Sequence, residues 1–221
     1  MKTTLAAFGD SWTWGADLQP GEKTYGQLIA ETKGWEFKNF AEISTAPEHM
    51  ILQLQTMINE SPVDVDTEYV ALFSFTALTR FMYWPEKARF DFRYGTECGY
   101  VMHDGSTEGD NASESYYKHI HSDRLDHFKF YTTALALSTL CQQHNIRDYY
   151  ALSFSTVDWK IQDFKGVDRK KFWDFGDTNF LDLFGCKWVD NNNQYFKGTH
   201  SSHPNQQGHE LIAARLSEWI K

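Results

Sequence analysis

Five consecutive apolar residues, Tyr69-Val70-Ala71-Leu72-Phe73, stand inside the stretch from Glu68 to Phe75 and limit the fold more than any other segment. A strand with no polar alternation has no face to offer water, so both faces need cover, as in a parallel strand between helix layers. The neighbouring segments supply that cover. Thr3 to Phe8 and Ile146 to Phe154 also read as buried strands, and Trp35 to Asn39 alternates apolar and polar. Between them, Tyr25 to Lys33, Pro47 to Asn59 and Ser115 to His144 carry helical spacing, the last as one long helix or two. Strands separated by helices imply right-handed crossovers, and so a three-layer α/β/α sandwich, flavodoxin-like in its layering, with a parallel sheet of about five strands.

Local signals sharpen the boundaries. Gly34 is placed to end the first of these helices, and Ser61-Pro62 to end the second, whose apolar stripe is Met50, Leu54, Met57 and Ile58. Pro204 suits a first helical position, ahead of a buried stripe of Ile212, Leu216, Trp219 and Ile220. Residues 79–114 break the alternation and read as a surface insertion in a single domain spanning residues 1–221. Its aromatics Phe81, Tyr83, Trp84, Phe90, Phe92 and Tyr94 form either a lid over a ligand or a flap on its own small apolar cluster. Ser155 to Lys197 has no clean period and is expected to be irregular, with short helices.

The net charge is −9, from 21 Lys and Arg against 30 Asp and Glu. Phosphate binding needs clustered positive charge, so neither nucleic acid nor an anionic membrane is the expected partner. Cys98, Cys141 and Cys186 are far apart and odd in number, which suggests neither a disulfide framework nor a thiolate metal site. The apolar run before Gly9 is too short for a signal-peptide core, and no eighteen-residue apolar run occurs. A cytoplasmic protein is the expectation, although phage proteins released by lysis act outside a cell without such a signal.

The chemistry begins at Phe8-Gly9-Asp10-Ser11-Trp12, where the first strand breaks. Glycine permits a sharp turn there, which lifts Ser11 onto the rim of the sheet with its backbone N–H free to face an oxyanion. Gly-Asp-Ser is also an ordinary turn and helix cap, so its meaning depends on a partner base. The other end of the chain supplies one in Ser202-His203-Pro204-Asn205. Together the two stretches resemble the SGNH, or GDSL-type, hydrolase family, whose nucleophilic serine lies near the N-terminus and whose general-base histidine lies near the C-terminus, just before a proline.

The resemblance implies that Ser11 is acylated, that His203 acts as base and then acid, and that the Ser11 N–H is the first oxyanion donor. The family's second block, Asn followed five residues later by Gly, becomes Asn39 and Ser44 here, so the Ser44 N–H would be the second donor if its backbone adopts the glycine conformation. In the third block, commonly Gly-x-Asn-Asp, the sequence reads Ser74-Phe75-Thr76-Ala77, which puts a Thr76 hydroxyl in place of the amide donor. The family's Asp-x-x-His becomes His200-Ser201-Ser202-His203. A neutral His200 could accept from His203 and orient it, and three readings stay open: the enzyme is a Ser-His dyad, another acid such as Asp177 or Asp190 reaches in, or catalysis has decayed.

The function implied is hydrolysis of an ester, a short acyl group such as acetyl on a carbohydrate being the expected substrate. No organic cofactor is implied, since there is no Gly-x-Gly-x-x-Gly and no P-loop. Two rivals stand beside it. One is a catalytically impaired binding protein of the same fold; the other is a metal-site hydrolase using His200, His203 and His209, with Asp10 completing the ligand set.

Overall fold

The computed structural model describes residues 2–60, 66–83, 100–102, 116–154, 157, 166–187, 189, 192–197 and 202–221. Among the described residues there are six strands: β1 (Lys2–Phe8), β2 (Glu36–Asn39), β3 (Thr67–Phe75), β4 (Phe81–Tyr83), β5 (Tyr100–Met102) and β6 (Arg147–Leu152). The main sheet has four parallel strands in the order β2-β1-β3-β6, while β4 and β5 pair antiparallel by themselves. The helices are α1 (Ser11–Trp14), α2 (Tyr25–Lys33), α3 (His49–Glu60), α4 (Asp123–Gln143), α5 (Phe180–Leu183) and α6 (Gln206–Trp219).

Alternation along the strands sorts the core into two layers. Ala6, Phe8, Tyr69, Ala71, Phe73, Phe75, Tyr150 and Leu152 face α3 and α4. Leu5, Val70, Leu72 and Ala151 face α2 and α6. The apolar run of β3 is therefore split between two covered faces, as a parallel strand requires. Phe73 is fully buried, with ring centroids 4.7 Å from Phe8 and 5.4 Å from Tyr150; truncating such a side chain costs about 3–5 kcal/mol.

One expectation needs correction, and two take a definite form. Among the described residues the sheet of about five strands has four, with one further parallel bridge, Tyr150 to Phe172, before the backbone turns left-handed at Asp174 and Phe175, with φ of 48° and 56°. Of the two forms expected for 115–144, one long helix or two, the structure has the second: Ser122 caps α4 by accepting from the Leu125 N–H at 3.2 Å, and a separate helical turn covers 116–119. Pro204 lies outside α6 in an antiparallel bridge with Phe196, since Asn205 offers the side-chain oxygen that caps Gly208 N–H at 3.0 Å. The aromatics Trp84, Phe90, Phe92 and Tyr94 lie outside the described residues. No described helix is long and apolar enough to cross a membrane.

Candidate active site

The turn after β1 is shaped by Gly9. Its φ is 151°, and a Cβ there would fall 2.4 Å from Thr13 Oγ1 and 2.8 Å from the Ser74 carbonyl oxygen. Gln53 holds the same residue from α3, accepting from its N–H and donating to its carbonyl, each at 3.0 Å. Asp10 then caps α1 through Trp12 N–H at 3.0 Å, which leaves Ser11 as the first helical residue. The other oxygen of this fully buried carboxylate takes the Thr76 hydroxyl at 2.6 Å and Arg80 Nη1 at 3.1 Å. Asn39 steadies the far end of α1, its Nδ2 donating to the carbonyls of Thr13 and Trp14 at 3.3 Å each.

The two ends of the chain meet here through specific ties. Trp12 Nε1 donates to the Ser202 carbonyl at 3.0 Å, Lys23 N–H to Gln206 Oε1 at 2.7 Å, and Tyr25 N–H to His209 Nδ1 at 3.2 Å. Lys197 and Glu22 pair at 2.5 Å, and the Lys197 N–H donates to the His203 carbonyl at 3.2 Å. A backbone hydrogen bond from Gln19, together with Lys197, holds the Glu22 carboxyl below the usual range. These contacts set His203 at the rim beside the serine turn.

There His203 meets an acid absent from the sequence expectations. His203 Nδ1 lies 2.8 Å from Asp17 Oδ2. A carboxylate only accepts, so Nδ1 carries the proton and Nε2 is the basic nitrogen of the ring. Asp17 reaches this position because Gly15 ends α1 with φ 89° and Asp17 itself is left-handed at φ 66°, a conformation Asp tolerates better than most residues. A separation of 186 positions leaves no spacing that pairs the partners, and the Gly15 helix stop just before Asp17 is only a faint signal.

Ser11, Ser44, Asp17 and His203 line one cavity of about 760 Å³, a size suited to a small molecule. Ser44 is left-handed, with φ 58°. Thr76 is buried with its single hydroxyl proton engaged by Asp10. His200 and Asp190 lie outside the described residues. Asp177 pairs instead with Arg169 at 2.9 Å. Arg80 also lines the cavity and was missed because its sequence neighbourhood reads only as the start of the insertion.

The metal reading finds no support in the described geometry. His209 is fully buried, its Nδ1 is taken by Tyr25 N–H, and its ring stacks on Tyr25 at 5.7 Å. Burial pulls its pKa down to about 4, so it is neutral at pH 7. Asp10 is engaged by Thr76 and Arg80. Among the described residues, no group of three or more His, Cys, Asp or Glu side chains is placed to hold an ion.

The sequence matches no family model and no curated protein. Solved structures do resemble it. The lipase Lip_vut3 from a goat rumen metagenome shares 13% identity at a TM-score of 0.50, covering 99% of this chain and 97% of that one. TesA shares 9% identity at a TM-score of 0.50, covering 99% and 98%. AlinE4, an SGNH-hydrolase family esterase, shares 13% identity at a TM-score of 0.45, covering 99% and 94%. At these identities the likeness concerns architecture alone: four parallel strands between helix layers, with Gly-Asp-Ser after the first, give this chain an α/β fold like that of Lip_vut3 and TesA.

Proposed function

We propose that the protein is a serine ester hydrolase working through an acyl-serine intermediate, with Ser11 as nucleophile, His203 as general base and Asp17 as the acid that orients it. The observation that carries this reading is the 2.8 Å contact from His203 Nδ1 to Asp17 in the cavity that Ser11 also lines. Ser11 Oγ bonds to the acyl carbon, its proton passes to His203 Nε2, and the carbonyl π pair moves onto oxygen. When that pair returns, the ester C–O bond breaks and His203 gives its proton to the departing alcohol. Water repeats the sequence to release the acid. The oxyanion meets the N–H groups of Ser11 and Ser44.

A short acyl group such as acetyl, carried on a carbohydrate, is the substrate class we infer. Trp14 lines the cavity with 46% of its surface exposed, an aromatic face at the mouth suited to a sugar ring. The test is hydrolysis of p-nitrophenyl acetate and of an acetylated sugar by the wild type, Ser11→Ala and His203→Ala, each with and without a chelator. Activity lost in both variants and indifferent to chelator supports the reading. No wild-type turnover of either ester favours the binding-protein alternative, and chelator-sensitive activity surviving Ser11→Ala revives a metal.

A further inference from the structure

A guanidinium stands beside the two backbone donors of the oxyanion site. Arg80 Nη1 spends its protons on Asp10 Oδ2 at 3.1 Å and on the Thr45 carbonyl at 3.2 Å. Those anchors are each one peptide from a backbone donor, since Asp10 precedes Ser11 and Thr45 follows Ser44. The side chain is only 11% exposed, lies 5.8 Å from the Phe154 ring centroid and lines the cavity with Ser11 and Ser44. Guanidinium has five N–H donors. Among the described residues those on Nη2 and Nε make no hydrogen bond, so a buried cation faces the cleft with three donors unspent.

We infer that Arg80 is a catalytic residue, the third oxyanion donor, standing in for the Thr76 hydroxyl whose proton Asp10 already holds. This rests on Ser11 being the nucleophile. In the resting site the Asp10 carboxylate balances Arg80, so the guanidinium is held in place without a substrate anion. As Ser11 Oγ bonds to the acyl carbon and its proton passes to His203, the π pair on the carbonyl oxygen becomes a full negative charge. Arg80 keeps its protons and donates a hydrogen bond to that oxygen. When the pair returns and the alcohol leaves, the bond weakens again. A charged donor is stronger than a neutral hydroxyl, and it acts mainly on the transition state.

The experiment compares p-nitrophenyl acetate kinetics of the wild type, Arg80→Gln and Arg80→Lys, with circular dichroism confirming each fold. Wild-type turnover is measured first, so failure of the serine hydrolase reading shows before any variant is interpreted and overturns this inference with it. We expect kcat to fall about 10²- to 10³-fold in Arg80→Gln with KM within threefold, and to fall less in Arg80→Lys, which keeps the charge but not the planar fork. A folded Arg80→Gln with kcat within threefold of wild type overturns the role. So does a selective rise in KM for the anionic ester p-nitrophenyl succinate with kcat unchanged, which would make Arg80 a ground-state anion anchor. Should the variants not fold, arginine side-chain nitrogen NMR of the wild type decides: adding phenylboronic acid, which becomes a tetrahedral anion on a serine, shifts the Arg80 N–H protons downfield, and their failure to move overturns the inference.

Discussion

On the Arg80 side of the cleft, proposed as the oxyanion side, Asp10 has no exposed surface and accepts from Trp12, Thr76 and Arg80, whereas on the His203 side, proposed as the relay side, the Asp17 and His203 side chains are 51% and 23% exposed. Each difference has a physical consequence. A buried ion pair stripped of one partner leaves an uncompensated charge, so the oxyanion side is coupled to folding. An exposed pair is screened by water and contributes little to stability, so the relay side is free to affect rate alone. Mutations on the two sides should therefore separate activity from stability.

The largest effect should come from the relay and nucleophile themselves. Ser11→Ala or His203→Ala should each lower kcat for p-nitrophenyl acetate at least about 10⁴-fold, and the double variant should be no worse than either, since the pair acts as a unit. Asp17→Asn should follow, with kcat down about 10²- to 10⁴-fold because the amide can hold His203 in the wrong tautomer. Its urea midpoint should correspond to a stability within about 0.5 kcal/mol of wild type, and a larger loss would break the contrast between the two sides. Asp10→Ala should invert that pattern: it should cost about 3–5 kcal/mol of stability in the same denaturation experiment, since it strands Arg80.

His209 gives a pH-dependent version of the same contrast. Burial lowers the pKa of its ring from 6.5 to about 4, against an opposing pull from Glu22, so the unfolded chain takes up this proton first as pH falls. Its contribution is complete above pH 6.5 and is lost between pH 6.5 and 4, amounting to about 3 kcal/mol. Denaturation of wild type and His209→Gln across that window should show the slope flattened by roughly this amount in the variant. The smallest effect is expected for Ser44→Gly, which relieves a left-handed serine at φ 58° and should add up to about 1 kcal/mol while kcat changes less than threefold.

Much of the layered fold was legible because it follows from short-range pattern. The unbroken apolar run of β3 called for cover on both faces, which it has, and Gly34, with φ 68°, ends α2 where a helix stop was expected. Elements defined by tertiary contact were less legible. Beyond β6 the described sheet gains only the bridge at Phe172, ahead of a left-handed turn at Asp174 and Phe175, and a bulky Phe at positive φ is nothing that composition would flag. The same division holds in the site. Ser11 and His203 announce themselves through neighbours in sequence, Gly9-Asp10 and Pro204, whereas Asp17 and Arg80 are brought in by contacts across 186 and 70 residues.

The most direct test of the central claim is covalent. A fluorophosphonate that phosphonylates activated serines should be incubated with wild type, His203→Ala and Asp17→Asn, and the adduct located by peptide mass spectrometry. One adduct is expected, on Ser11, formed rapidly in wild type, slowly in Asp17→Asn and barely in His203→Ala. An unmodified wild type, an adduct on another residue, or equal rates in all three proteins would contradict a serine activated by the His203–Asp17 pair.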